Sequence, residues 1–217
     1  KFIGDAVMAN FGTPRSSGND AQNAFDCALS MNKKLKEWNA SRSEKGLLQI
    51  DHRIGIHYGP CVVGNMGSDQ RFDYSCLGDA VNLAARLEGQ SKEYGMKIVI
   101  GEETAKEMED EFVMIELDTI AVKGKTEPVK IYTSLGTVYA LEYSMNYEMP
   151  RQQHNKFLNW YRTQNWVFAR KWINDLRDSF GGALTDYYDM MEKRIDQLEQ
   201  ADLPKDFLEI LNEKYLK

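Results

Sequence analysis

Short apolar runs separated by glycine open the chain. In KFIGDAVMANFG, residues 1–12, Gly4 and Asp5 divide one apolar run from the next, which predicts a tight hairpin. Glycine supplies the positive φ of the first central turn position, and Asp tolerates the second. Residues 6–11 read as a strand and 12–19 as a loop of Gly, Pro and Ser. From Asp20 to Trp38 the apolar positions Ala21, Ala24, Phe25, Ala28, Leu35 and Trp38 recur at helical spacing, with Asn19 or Asp20 as cap. Residues 49–59 alternate, with Ile50, Ile54, Ile56 and Tyr58 on one face and Asp51, Arg53 and His57 on the other. Gly59-Pro60 is expected to turn this strand into 61–67 as a second hairpin, with the GNMG of 64–67 read as a hairpin turn.

Residues 79–95 predict a helix that Asp79 caps and Gly89 or Gly95 closes. KIVI (97–100), a short helix over TAKEM (104–108), EFVMIEL (111–117) and PVKIYTSLG (128–136) continue an alternation of strands and helices. That order predicts an α+β or α/β sandwich with a mainly antiparallel sheet. Near residue 140 the pattern changes. Residues 138–152 read as a linker, and 153–217 as an all-helical extension of roughly four short helices punctuated by Gly181-Gly182 and Pro204. Three of the four tryptophans, Trp160, Trp166 and Trp172, fall in this extension. One degenerate helical repeat, with Ala169 as the small residue between Trp160 and Ile173, is a weaker reading because a lone repeat cannot bury its own face. Aromatic residues at helical spacing describe a packed appendage more readily than a partner-binding groove. A protein partner for the tail stays open.

The 217 residues are 42% hydrophobic and 28% charged, a globular composition, and the net charge of −6 offers no broad attraction for a nucleic-acid backbone. No nucleic-acid partner is expected, although a few placed cations suffice for a nucleotide. Cys27, Cys61 and Cys76 are too scattered for a zinc site or a disulfide framework. No apolar run reaches the roughly 18 residues of a membrane helix. No basic-then-apolar leader opens the chain. A chain that opens without Met, inside a strand, is expected to be a fragment.

The stretch richest in chemistry is FDYSCLGDAVNLAARLE, residues 72–88. Asn82 and Arg86 stand four apart and share a helix face, and an amide beside a guanidinium fork suits a polyphosphate or a developing negative charge. Exposed Asn and Arg on an amphipathic helix are, taken alone, more often a solvated face. AVKGKTEP (121–128) sets two lysines around a glycine, a loop for phosphate oxygens or a plain surface turn. Asp5 alone is a turn residue or a metal ligand. His52, His57 and His154 form no metal cluster, and no Walker sequence, G-x-S-x-G or Cys/His nucleophile arrangement occurs.

Taken together and in order, KFIGDAVMANFG, GIHYGPCVVGNMGS, RFDYSCLGDAVNLAARLEGQSKEYG and VKGKTEPVKIY closely resemble the catalytic domain of class III nucleotidyl cyclases, over residues 1 to about 136–137. The resemblance implies a ferredoxin-like, palm-type α+β sandwich that converts ATP to cyclic AMP and pyrophosphate. It gives Asp5 the role of the second metal aspartate, for two Mg²⁺ or Mn²⁺ ions. Lys1 matches the purine-reading residue, where Lys goes with adenine and an acidic residue with guanine, and Ser75 the second base-recognition position. Asn82 matches the amide that orients the ribose, Arg86 the guanidinium at the α-phosphate, and Lys123 the lysine on the terminal phosphates. In the family the metal half of a site and its Asn/Arg half come from different subunits. This chain carries both, which implies a homodimer with two shared sites. The resemblance also implies a cytoplasmic catalytic domain, with any membrane anchor in upstream segments.

The chain departs from the pattern in two places. The family's first metal aspartate precedes the second by some tens of residues, so residues 1–217 alone are expected to bind metal poorly and to be inactive. Pro60 stands where some members carry an arginine for the γ-phosphate, which leaves more to Lys123. Two alternatives follow: a catalytically inactive nucleotide-binding, dimerising or regulatory module of the same fold, and a guanylate cyclase, against which Lys1 speaks.

Overall fold

The computed structural model describes residues 1–68, 71–121, 128–144 and 146–201. The chain opens with β1 (Phe2–Ile3) and β2 (Ala6–Val7), paired antiparallel with Ile3 opposite Ala6, so that Gly4 and Asp5 form the two-residue turn. Gly4 has φ +63, the left-handed conformation that an L side chain resists. The strand expected over 6–11 is shorter than its pattern, ending at Val7.

Helix α1 (Asp20–Glu44) runs past the expected Trp38. Phe25 and Ala28 are buried, but Trp38, expected on the same apolar face, is 52% exposed. Its indole instead receives the Arg42 guanidinium 5.1 Å from the ring centroid. Asn19 precedes the helix without a side-chain cap. The Asp20 carboxylate accepts hydrogen bonds from Ser16 and Ser17, which hold it below the usual carboxylate range.

Strand β3 (Ile54–Ile56) corrects the expected second hairpin, because it pairs in parallel with β6 (Ile98–Gly101) rather than with the segment that follows it. That segment is β4 (Val62–Ser68), which forms its own hairpin with β5 (Arg71–Leu77), from Val62 opposite Leu77 to Ser68 opposite Arg71. Gly64–Gly67, expected as a turn, thus lies inside β4. Helix α2 (Asp79–Glu93) follows, with Asp79 as its first residue rather than its cap, and Gly95 at φ +66 closes it as expected.

Then come α3 (Glu102–Met108), β7 (Phe112–Ile120) and β8 (Val129–Thr137). The main sheet has the order β3-β6-β8-β7, in which β8 is antiparallel to both neighbours, so the α+β, mainly antiparallel expectation holds. Alternation along the strands sorts side chains into two cores. Ile98, Ile100 and Phe112 face α1 and α3, with Phe112 edge-on to Phe25 at 4.8 Å, whereas Val99, Val113, Ile115 and Leu117 face α2 and the C-terminal helices.

The stretch expected as a linker, 138–152, is helical over most of its length, as α4 (Val138–Ser144) and the start of α5 (Glu148–Arg162). Next are α6 (Trp166–Leu176), whose Asn165 cap accepts from the Phe168 amide, a short 3₁₀ turn (Ser179–Gly182) and α7 (Thr185–Glu199). These helices share a core with the sheet: Phe157, Tyr161, Ile173, Tyr187 and Ile195 join Leu83, Leu87, Val99 and Ile115 in one cluster. They also cover β7, an edge strand. The β7/β8 register shifts between Glu116 and Asp118. There His154 Nε2 lies 2.6 Å from the Glu116 carbonyl oxygen and the Tyr187 hydroxyl donates to that of Leu117 at 2.7 Å. Among the described residues no helix is long and apolar enough to cross a membrane.

Candidate active site

Three elements carry the residues singled out from the sequence. The β1–β2 hairpin presents Asp5, exposed, at its tip. At its base the Lys1 backbone nitrogen donates to the Met8 carbonyl, and the Met8 amide donates back to the Lys1 carbonyl, each at 2.9 Å. That closure aims the Lys1 side chain at β5, where Nζ donates to Ser75 Oγ at 3.4 Å and forms an ion pair with Asp73. A second tie holds the same two segments together, since the buried Cys76 thiol donates to Asn10 Oδ1 at 3.0 Å.

Lys1 and Ser75, 74 positions apart in the chain, are therefore brought together. Asp73 is the residue that sequence reasoning missed. The signal was present in RFDYSCL, because residues two apart on a strand share a face and Asp73 must accompany Ser75. The cluster is a cation held by one carboxylate and one hydroxyl, a set that can donate to and accept from the edge of a planar base.

Asn82 and Arg86 lie on α2, both exposed and one turn apart, while Leu83 and Leu87 of the same helix are buried. The face they share is thus the solvent face of a helix packed on the sheet. The helix start is closely approached by the loop after β3: a Cβ on Gly59 would lie 3.1 Å from Ala80 Cβ, and one on Gly78 3.1 Å from the Pro60 carbonyl oxygen. Lys123 lies outside the described residues. Among the described residues no three His, Cys, Asp or Glu side chains form a group that could hold a metal ion. Asp5 alone offers one carboxylate, which fits a Mg²⁺ site in which substrate phosphates and water supply most of the ligands.

Both hairpins expose apolar side chains. Phe2 is 82% exposed, and Ile3 and Val7 beside it more than half; Val62 (70%), Phe72 (64%), Tyr74 and Leu77 line the β4–β5 hairpin. Together these residues form an exposed apolar patch, the kind of surface that protein or ligand contacts use.

Residues 1–136 match the family model described as the adenylate and guanylate cyclase catalytic domain. Adenylate cyclase 1 of Rhizobium meliloti is 34% identical over 141 residues, covering 65% of this chain and 21% of that protein. The adenylate cyclase of Anabaena cylindrica is 39% identical over 139 residues, covering 61% of this chain and 27% of that protein. The chain therefore spans a minor part of the curated relatives it matches. Among solved structures, the adenylyl cyclase CyaB from P. aeruginosa superposes with a TM-score of 0.56 at 37% identity, covering 62% of this chain and 69% of that one. The guanylyl cyclase Cya2 gives 0.55 at 32% identity, covering 63% and 68%.

Proposed function

The chain belongs to the adenylate and guanylate cyclase catalytic-domain family, and from that premise we propose that it is the catalytic part of an adenylate cyclase acting as a homodimer. The observation that carries the choice of ATP is the joining of Lys1 to Ser75. Adenine presents a ring-nitrogen acceptor beside an amino donor, which an ammonium and a hydroxyl satisfy as a pair. Guanine presents two adjacent donors, which call for a carboxylate where Lys1 stands.

The reaction forms a bond from the ribose 3′ oxygen to the α-phosphorus and breaks the bond from that phosphorus to the bridging oxygen of pyrophosphate, while the 3′ hydroxyl loses its proton. Asn82 orients the ribose so that attack is in line. Arg86 holds the equatorial oxygens of the α-phosphate as charge spreads over them, and Lys123 takes the terminal phosphates. Asp5 would be the ligand these residues supply to two Mg²⁺ or Mn²⁺ ions, whose chemistry would be to lower the pKa of the attacking hydroxyl and neutralise the triphosphate. The apolar surfaces of the two hairpins support the homodimer, in which each site takes Asp5 from one subunit and Asn82 and Arg86 from the other.

The second reading is a nucleotide-binding module of the same fold without turnover. Assay of the full-length protein containing this chain, with ATP and GTP and with Mg²⁺ and Mn²⁺, separates the two. The expected result is cyclic AMP formed in preference to cyclic GMP, with kcat falling about 10²–10³-fold in Arg86→Ala. Nucleotide binding without product supports the module, and unchanged turnover in Arg86→Ala overturns the site.

A further inference from the structure

Helix α2 carries Asn82 and Arg86, so whatever fixes α2 fixes them. Beyond the burial of Leu83 and Leu87, two contacts bear on its orientation. Near its middle it rests on the sheet without intervening side chains: a Cβ on Gly55 of β3 would lie 2.1 Å from the Ala84 carbonyl oxygen and 2.3 Å from the Glu88 nitrogen. At its C-terminal end it is gripped by α7. Arg194 of α7, 3% exposed, donates through Nη2 to Glu93 Oε1 at 2.7 Å and through Nη1 to Asp118 Oδ2 at 2.6 Å. The Tyr94 hydroxyl donates to the same Asp118 oxygen at 2.8 Å, and the guanidinium lies 4.9 Å from the Tyr94 ring centroid. Next in the chain, a Cβ on Gly95 would lie 2.9 Å from Asp186 Cβ in the first turn of α7.

We infer that the C-terminal helices brace α2, and that Arg194 and Glu93 are positioning residues for the reaction; the inference rests on the cyclase reading above. One buried guanidinium joins the end of α2, the edge strand β7 and the last described helix. A planar fork suits a cation that must satisfy two carboxylates at once. The lever is a matter of rigid geometry. Glu93 lies eleven residues beyond Asn82, roughly 16 Å along the helix axis at 1.5 Å per residue. The Gly55 contact lies between them. With the α7 grip released, the C-terminal end of α2 is less firmly held and the helix can tilt about Gly55 against its buried Leu83 and Leu87, a tilt that displaces Asn82 from the ribose. A displacement of about 1 Å is enough to cost turnover heavily without abolishing binding.

The test uses the full-length protein and three variants. Glu93→Gln removes the charge on the α2 side while leaving Arg194 paired with Asp118, and Arg194→Lys keeps the charge but cannot fork. Arg162→Gln is the control: Arg162 ties the same helices to Glu116 and Thr119 of β7, away from α2. Expected are a fall in kcat of about tenfold in the first two, with KM for ATP within about twofold of wild type, and an unchanged kcat in the control. The folded fraction at the assay temperature is checked by circular dichroism. A kcat in Glu93→Gln within about twofold of wild type, or an equal fall in Arg162→Gln, overturns the brace. If the wild-type protein makes no cyclic nucleotide, the cyclase reading fails instead. The brace is then judged by hydrogen exchange at the α2 amides, expected to quicken about tenfold in Glu93→Gln and not in Arg162→Gln; unchanged exchange overturns it.

Discussion

His154 shows how much one side chain in the C-terminal helices is asked to do. It is fully buried, and burial pushes its pKa down to about 4, against which the Glu116 carbonyl contact works in the opposite direction. A neutral imidazole must then donate from Nε2 to the Glu116 carbonyl, which leaves Nδ1 to accept from the Tyr188 hydroxyl at 2.8 Å. In the unfolded chain the same group titrates near its ordinary 6.5. The unfolded state therefore binds the extra proton first, so the stability His154 contributes is complete above pH 6.5 and is lost as pH falls from there toward 4. The interval corresponds to about 3 kcal/mol. Denaturant unfolding should show a loss between pH 7.5 and pH 5 that narrows in His154→Gln, even though that variant is less stable at pH 7.5. An unchanged loss in the variant would assign the pH dependence to other groups. The sequence showed Lys1 and Ser75 as partners only through their family roles; their contact needed the hairpin closure at Met8. Nothing in the sequence marked His154 as the group that satisfies an edge strand, because its partner on that strand is a backbone carbonyl 38 residues away.

At the level of elements, Gly55 has the clearest consequence. It is glycine because α2 lies against the backbone of β3, and Gly55→Ala places a methyl group on the Ala84 carbonyl and the Glu88 amide. The expected cost is about 1–3 kcal/mol of stability, read as a lowered thermal midpoint, because backbone cannot yield as a side-chain tip can. A wild-type midpoint in Gly55→Ala would mean that α2 has room to move. The elements themselves were largely legible where one face is buried: α2, β6, β7 and β8 follow their patterns closely. Partners were less so. Alternation in 49–59 marks a strand but is silent on which neighbour it joins, and β3 pairs with β6 across α2. GNMG read as a turn because its glycines suggest one, yet in β4 they sit on a hairpin so little packed that a Cβ on Gly64 would meet nothing within 4 Å. The 138–152 stretch read as a linker because its polar residues obscured the helices, which derive their stability from the sheet they pack on.

At the scale of the whole molecule two surfaces matter. One is internal: the C-terminal helices cover the β7 edge and grip the end of α2, sharing a single core with the sheet. The other is the exposed apolar face of the two hairpins, which carries Asp5 at one tip and the Lys1–Ser75 pair between them. A homodimer that buries this face and divides each site between subunits predicts complementation. Asp5→Ala and Arg86→Ala each disable both sites of their own homodimer, whereas a mixed dimer retains one site with Asp5 and Arg86 intact. In the full-length protein, the most direct measurement is cyclic AMP formation from ATP by the two variants, separately and after co-expression at equal levels. The account predicts two inactive variants whose mixture regains about a quarter of wild-type activity, since half the dimers are mixed and each has one working site. A mixture as inactive as its components, beside an active wild type, would contradict it.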